Sequence, residues 1–351
     1  MTANIVFGAI ALRPGGSGVQ TYQRELMEAI ASAQSPARDW TYSVVAQSDA
    51  ASELPEGWRH ISRPINSGIR RAAEGLRPVP GADIFHGLDV DLPFAQKGAT
   101  VSTVHDMSAF DTPWAMSKVR ARGEQALLRR NLRRADEVIA VSPFTADRVR
   151  DLTGRESTVI TLAPAPWARI PSDDEVAHVR AKYSLPDRFA FQLATLEPRK
   201  RPDIVAEALE QIPDANVPLV LAGAGTDGVD RPLGTIGLGY VDMDDVPALY
   251  RAADVVTYAS SYEGYGLPPV EAMACGAIVV ASDVGAIAEA CGDGAIVVSG
   301  LDPEMWAEAL RVALEDGDRR DNLLASAAAR SAQLTWEAAG AATADVYRRL
   351  L

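Results

Sequence analysis

The chain has 351 residues, 47% of them hydrophobic and 23% charged, with 34 Lys and Arg against 47 Asp and Glu for a formal net charge of −13. This length and apolar content are enough for two ordinary cores, and an acidic chain without interleaved basic and aromatic stretches excludes nucleic acid as a partner. The two cysteines, Cys275 and Cys291, and the scattered His60, His86, His105 and His178 offer neither CxxC nor HExxH spacing, which excludes a disulfide framework and a protein-bound metal.

The start, MTANIVFGAI, lacks a basic region, its apolar run is of strand length, and no apolar stretch nears the ~20 residues that span a bilayer. A cytoplasmic chain is therefore expected. Ile5–Ile10 is an apolar run that ends at ALRPGGSG, and Val19–Ile30 then has helical spacing. Strand, glycine turn and helix form the first unit of a Rossmann-like sheet, with Gly15, Gly16 and Gly18 where ligands approach. GGSG is not GxGxxG, so a dinucleotide fingerprint is absent.

Tyr42–Ala46, Asp83–His86, Thr100–Val104, Val138–Val141 and Thr158–Thr161 are further strands, several of them separated by helix-length segments. Such alternation predicts a parallel sheet covered on both faces, with ligands at the strand carboxyl ends. His86, His105 and Asp106 follow apolar runs at such ends; a histidine there serves either a ligand or the loop carbonyls around it. Residues 1–165 carry 19 Lys and Arg against 18 Asp and Glu, which leaves 15 against 29 for residues 166–351. Arg63, Arg70, Arg71 and Arg77 lie in a loop-rich stretch, and Arg120, Arg122, Arg129, Arg130, Arg133 and Arg134 crowd one predicted helix. That helix reads either as a solvated face or as a peripheral contact with an anionic membrane surface.

Ala163–Pro171, APAPWARIP, is proline-rich and marks an interdomain linker. Strands at Phe189–Leu193, Pro218–Ala222, Asp254–Tyr258, Ile278–Ala281 and Ala295–Val298 repeat the alternation, and Thr335–Leu351 is a helix-period tail. After Phe189–Leu193 the loop TLEPRKRPD places Arg199 and Lys200 before a helix, where two cations neutralise a diphosphate and stabilise charge growing on a leaving group. GLGYVDMDD places Tyr240 and Val241 in a turn before another helix.

Ser260–Gly276, SSYEGYGLPPVEAMACG, holds two carboxylates eight residues apart, Glu263 and Glu271, with Gly264, Gly266 and a double proline between them. Glycines let backbone approach a ligand, proline suits a first helical turn, and the free amides of that turn favour an anion such as phosphate. Glu263 stays on the loop while Glu271 sits about one turn into the helix, so the two face different parts of a ligand.

The last segment, with AIVVASDVGAIAEACGDGAIVV after it, resembles the donor-binding segment of the retaining glycosyltransferases of family four, a GT-B group with many mannosyltransferases. FQLATLEPRKRPDIVAEAL, GYVDMDDVPALYRAADVVTYAS, GGSGVQTYQREL and STVHDMSAFDTP are similar to other landmarks of that family, in the same order. The resemblance implies an α/β chain of two Rossmann-like domains facing across a cleft: an acceptor-binding domain at 1–165, a nucleotide-sugar-binding domain at 166–334, and a last helix, 335–351, that returns to the first. It also implies that Glu263 lies near the donor sugar and Glu271 at the ribose. The amides of Gly264, Tyr265, Gly266 and Leu267 meet the diphosphate, and Tyr240 and Val241 the base. Gly16 and His105 approach the donor, with Asp106 on the acceptor side. The family's earlier Arg is replaced here by Thr195, leaving Arg199 to substitute beside Lys200. The implied reaction is metal-independent, cofactor-free transfer of a hexose, mannose foremost, from a GDP-mannose-like donor to a glycan or a lipid-linked acceptor. A GT-B sugar-nucleotide epimerase and a non-catalytic partner subunit are the alternatives.

Overall fold

Along the chain, short runs of β-branched and aromatic residues alternate with helical segments, a pattern that buries strands on both faces and leaves helices to cover them. The computed structural model describes residues 2–351 apart from 16, 17, 33, 34, 36, 38, 90 and 91, and of Ile69 only the backbone. The chain divides into two units, one comprising the residues up to Leu162 together with Thr335–Leu351, the other Ala163–Leu334.

The first unit holds a parallel sheet of β1 (Asn4–Gly8), β2 (Thr41–Gln47), β3 (Arg59–Arg63), β4 (Ile84–Gly87), β5 (Ala99–Val104), β6 (Glu137–Ala140) and β7 (Thr158–Val159), in the order β3-β2-β1-β4-β5-β6-β7. Strand order reverses between β1 and β4, which places the switch point beside the glycine turn that follows β1. Ile5, Phe7, Val44 and Ile84 are fully buried, as central parallel strands require. The last helix, Trp336–Leu350, packs on the first, Val19–Ala31. It is tied to the sheet by a buried chain of polar groups: Tyr347 Oη meets His86 Nδ1 at 2.6 Å, His86 Nε2 meets Thr103 Oγ1 at 2.8 Å, and Tyr22 Oη meets the same Thr103 oxygen at 2.8 Å.

The second unit holds β8 (Ala190–Leu193), β9 (Leu219–Ala222), β10 (Ile236–Gly237), β11 (Val255–Tyr258), β12 (Val279–Ser282) and β13 (Ile296–Val298), again all parallel, in the order β10-β9-β8-β11-β12-β13. Its core gathers Val205, Leu219, Val255, Val280 and Leu310 around Trp306, whose indole N–H donates to the Gly300 carbonyl at 3.1 Å. Here the order reverses between β8 and β11, so the loops after these neighbouring strands leave the same edge of the sheet side by side. Among the described residues no helix is long and apolar enough to cross a membrane.

Candidate active site

The loop after β8 carries Arg199 and Lys200, and the loop after β11 carries Glu263. Backbone and hydroxyl groups join the two loops. The Arg199 carbonyl accepts from the Ser261 amide at 2.8 Å, from Ser260 Oγ at 3.2 Å and from Ser261 Oγ at 3.3 Å, while Gln192 Nε2 donates to the Lys200 carbonyl at 2.8 Å. Arg201 begins the next helix, Pro202–Glu210, from the left-handed region at φ 37°, a conformation that costs a non-glycine residue about 1–2 kcal/mol and that the surrounding bonds hold in place.

One oxygen organises the charges. Glu263 Oε1 accepts from Arg199 Nη1 and Lys200 Nζ at 2.7 Å each, from Ser260 Oγ at 2.9 Å and from Tyr258 Oη at 3.2 Å. Lys200 Nζ also donates to Tyr258 Oη and lies 4.5 Å from the centroid of that ring. Burial pushes the Glu263 carboxyl up, but the charges of Lys200 and Arg199, with the hydrogen bonds from Lys200 and Ser260, outweigh it and hold the group below its ordinary value. Burial pulls the Lys200 ammonium down against the attraction of Glu263. The result is two cations joined on one carboxylate, with Arg199 also paired through Nε to Glu197 Oε2 at 3.0 Å. Tyr258 and Ser260 stand outside the charged residues that sequence reasoning singled out, although Tyr258 ends a strand at the edge where ligands gather. Thr195 is exposed on the β8 loop, and the guanidinium beside Glu263 is that of Arg199.

Beyond Glu263 the chain turns sharply into the helix Leu267–Ala274 through Gly266, whose φ of 101° is in the left-handed region; a Cβ there would also stand 3.1 Å from Ile287 Cγ1. Tyr265 and Leu267 are buried side chains, 6% and 7% exposed, on either side of Gly266 at the helix start. Glu271 lies one turn further, 7% exposed, and accepts a hydrogen bond from the Ala165 amide. Burial raises its carboxyl to about 7 against that hydrogen bond. Tyr240 and Val241 follow β10, two strands away from β8, and the Tyr240 side chain is 84% exposed. Their turn is anchored by Gly239, whose carbonyl accepts from the Gly223 amide at 2.7 Å, and by Lys182, which pairs with Asp242 at 2.5 Å and Asp245 at 2.7 Å.

In the first unit His105 and Asp106 follow β5. His105 Nε2 donates to the Leu88 carbonyl at 2.9 Å and its ring meets Tyr22 edge-on at 4.7 Å, while Asp106 Oδ1 accepts from the Ser108 amide at 2.8 Å. Gly16 lies outside the described residues. His86 is a core histidine, its imidazolium disfavoured by burial and then by His105, so that it titrates only at about 3. The basic helix, Lys118–Arg134, is less uniform than its sequence. Arg130 turns inward to the carbonyls of Leu92 at 2.6 Å and Pro93 at 2.8 Å and covers the Phe94 ring, and Arg120 pairs with Glu124 at 2.7 Å. Arg122, Arg129 and Arg133 are exposed along one side of this helix, near Val119 and Trp114, which are exposed as well.

Two Rossmann-like parallel-sheet units in one chain define a GT-B glycosyltransferase architecture, and comparison with known proteins agrees. Residues 16–166 match the family described as Glycosyltransferase Family 4, and residues 177–330 match Glycosyl transferases group 1. The chain is 33% identical over 298 residues to an O-antigen chain mannosyltransferase B of Escherichia coli, an overlap of 80% of this chain and 78% of that one. It is 27% identical over 335 residues to the serotype-specific mannosyltransferase WbdA of Escherichia coli, covering 85% of this chain but only 40% of that longer protein. The fold is shared with Anabaena HepE, solved in complex with UDP-glucose, at a TM-score of 0.73, 20% identity, and 99% and 100% of the respective chains. The chain belongs to the family-four glycosyltransferases of GT-B fold.

Proposed function

We propose that this glycosyltransferase moves mannose, with retention of anomeric configuration and without a metal, from a GDP-mannose-like nucleotide-diphosphate sugar to a hydroxyl of a glycan or a lipid-linked acceptor. The observation that carries this reading is the pair of cations, Lys200 and Arg199, held on Glu263 Oε1 beside the helix start at Gly264–Leu267. The mannosyltransferase names of the relatives and the UDP-glucose in HepE support the sugar and the donor class.

In this reading the second unit binds the donor. The diphosphate takes hydrogen bonds from the amides of Gly264 to Leu267 and faces Lys200 and Arg199. Glu271 accepts from the ribose hydroxyls, and backbone groups of Tyr240 and Val241 meet the base edge. As the bond from anomeric carbon to phosphate breaks, charge grows on the departing oxygen, where two preorganised cations and the helix amides stabilise it in a site with little water. A phosphate so held accepts the proton of the acceptor hydroxyl on the face it is leaving, so no strong protein base is needed. The first unit supplies Asp106 at the end of β5 for the acceptor, with His105 beside it for the donor sugar. Its exposed Arg122, Arg129, Arg133, Val119 and Trp114 favour a lipid-linked acceptor reached at an anionic surface.

A thermal-shift panel of nucleotide sugars tests the donor, because a ligand at one hundred times its Kd stabilises by about 2.7 kcal/mol. GDP-mannose is expected to give the largest shift, and NMR of the product to show the donor's anomeric configuration. An inverted product, or donor consumed equally fast without any acceptor, overturns the reading.

A further inference from the structure

Tyr258 closes β11 with its ring 3% exposed, and its hydroxyl sits between the two opposite charges of the site. It accepts from Lys200 Nζ and donates to Glu263 Oε1 at 3.2 Å, while the Lys200 ammonium also meets the face of the ring. A phenylalanine would fill the same space at this strand end, so packing alone does not call for the oxygen. A buried hydroxyl needs partners, and both of its partners here are the charged groups of the site. The proton directions are consistent: an ammonium can only donate, a carboxylate can only accept, and a phenol between them does both.

We propose that Tyr258 is a positioning residue for transfer, whose hydroxyl fixes the direction of the Lys200 ammonium by bridging it to Glu263. An ammonium has three hydrogens. With one on Glu263 and one on Tyr258, the third is set at a fixed angle to both, and this is the hydrogen offered to the departing diphosphate. Without the bridge the ammonium rotates about a flexible four-carbon stem and meets growing charge only after reorganising. The role of the third hydrogen rests on the donor reading above; the control of Lys200 by Tyr258 does not.

The test is Tyr258→Phe, which deletes one oxygen and keeps the ring. The kcat is expected to fall about tenfold to a hundredfold, the scale of one hydrogen bond to a charged group, with nucleotide Kd and donor KM unchanged within about twofold. The alkaline limb of the kcat profile is expected to move to lower pH, because the ammonium loses an acceptor that favours its charged form. A second measurement needs no turnover: reaction of Lys200 with an amine-directed reagent, followed by mass spectrometry across pH, is expected to begin at lower pH in Tyr258→Phe than in the parent. Unfolding midpoints of both proteins show whether the variant is intact, and Tyr258→His, which keeps a ring and a polar atom, is expected to recover part of the rate. Unchanged Lys200 reactivity together with an unchanged kcat profile overturns the proposal. Shifted reactivity in a protein that transfers no sugar keeps Tyr258 as the residue controlling Lys200 and overturns the donor reading instead.

Discussion

Gly285 and Glu263 touch through backbone: a Cβ built on Gly285 would stand 1.7 Å from the Glu263 carbonyl oxygen, and Gly285 itself is at φ 59°. The loop after β12 thus supports the loop that carries the organising carboxylate, and the next amide, that of Ala286, donates to the same carbonyl at 3.3 Å. Gly285→Ala is expected to destabilise the protein by roughly 2–5 kcal/mol, from about 1–2 for the left-handed backbone and about 1–3 for overpacking. Urea unfolding checks the loss. Nucleotide binding measured below the transition is expected to weaken as well, since relief of the clash moves Glu263. A variant of parental stability and affinity contradicts this account of the loop.

Glu271 gives the site a pH dependence with a definite sign. Burial raises its carboxyl from 4.5 to about 7 in the folded protein, so the folded state keeps a proton that the unfolded chain has lost. The stability associated with Glu271 is complete below about pH 4.5 and is lost as pH rises to about 7, in all roughly 3 kcal/mol at about 1.4 kcal/mol for each pH unit. Glu271→Gln removes the titration and keeps an oxygen for the Ala165 amide. It is expected to gain on the parent by up to that amount at pH 8 and to match it near pH 4.5, as read by denaturant unfolding. Binding has the opposite sign, because ribose hydroxyls donate best to a carboxylate. Nucleotide affinity is expected to rise about tenfold from pH 6 to pH 8 in the parent and to stay low and flat in Glu271→Gln.

Among the described residues eleven strands are legible in the sequence because each lies in a short apolar run bounded by turn residues, most of them buried on both faces. The two that are not, β3 and β10, are each one edge of their sheet; the opposite edges, β7 and β13, lie within the apolar runs TVIT and AIVV. The β3 sequence, RHISR, has one open side and no apolar run, and β10 is two residues long. The same physics applies to the site. Glycines, prolines and charges mark Ser260–Gly276, Arg199 and Lys200 in one dimension, but the convergence of four donors on one oxygen depends on the pairing of β8 with β11 across the switch point. In the sequence Tyr258 is visible only as the end of a strand for that reason. The inward turn of Arg130 was hidden in the same way, since its partners, the Leu92 and Pro93 carbonyls, are 38 and 37 residues away.

Lys200→Ala removes one of two preorganised cations while Glu263 keeps Arg199, Ser260 and Tyr258 as partners. Turnover is expected to fall by on the order of a hundredfold or more, the scale for one charge-stabilising donor, with a smaller loss of donor affinity. EDTA is expected to leave the parent's rate unchanged, since in the proposed mechanism the cations on Glu263 stand where a metal would meet the diphosphate. Loss of activity in EDTA that magnesium or manganese restores points to a metal-dependent transferase.

The basic helix separates two kinds of arginine, and the separation is testable. Arg130 is bonded to loop carbonyls and stacked on Phe94, so Arg130→Gln is expected to lower the unfolding midpoint. Arg122, Arg129 and Arg133 lie on the exposed side of Lys118–Arg134, with Trp114 61% exposed and Val119 76% exposed nearby. A basic side chain near an anionic bilayer is worth about 1 kcal/mol, so three of them with an aromatic anchor give an attachment that is weak and screened by salt. Vesicles with phosphatidylglycerol are expected to sediment the protein at low ionic strength and to release it as salt is added, whereas vesicles of phosphatidylcholine alone are not. Replacing Arg122, Arg129 and Arg133 by Gln is expected to abolish this binding with only a small loss of stability, from the contact of Arg129 with the Phe110 ring at 5.0 Å, and Trp114→Ala to weaken it. If the parent ignores anionic vesicles at low salt, the exposed side is a solvated face and a soluble glycan becomes the better acceptor; if Arg130→Gln alone abolishes binding in a stable protein, the inward assignment of that side chain is wrong.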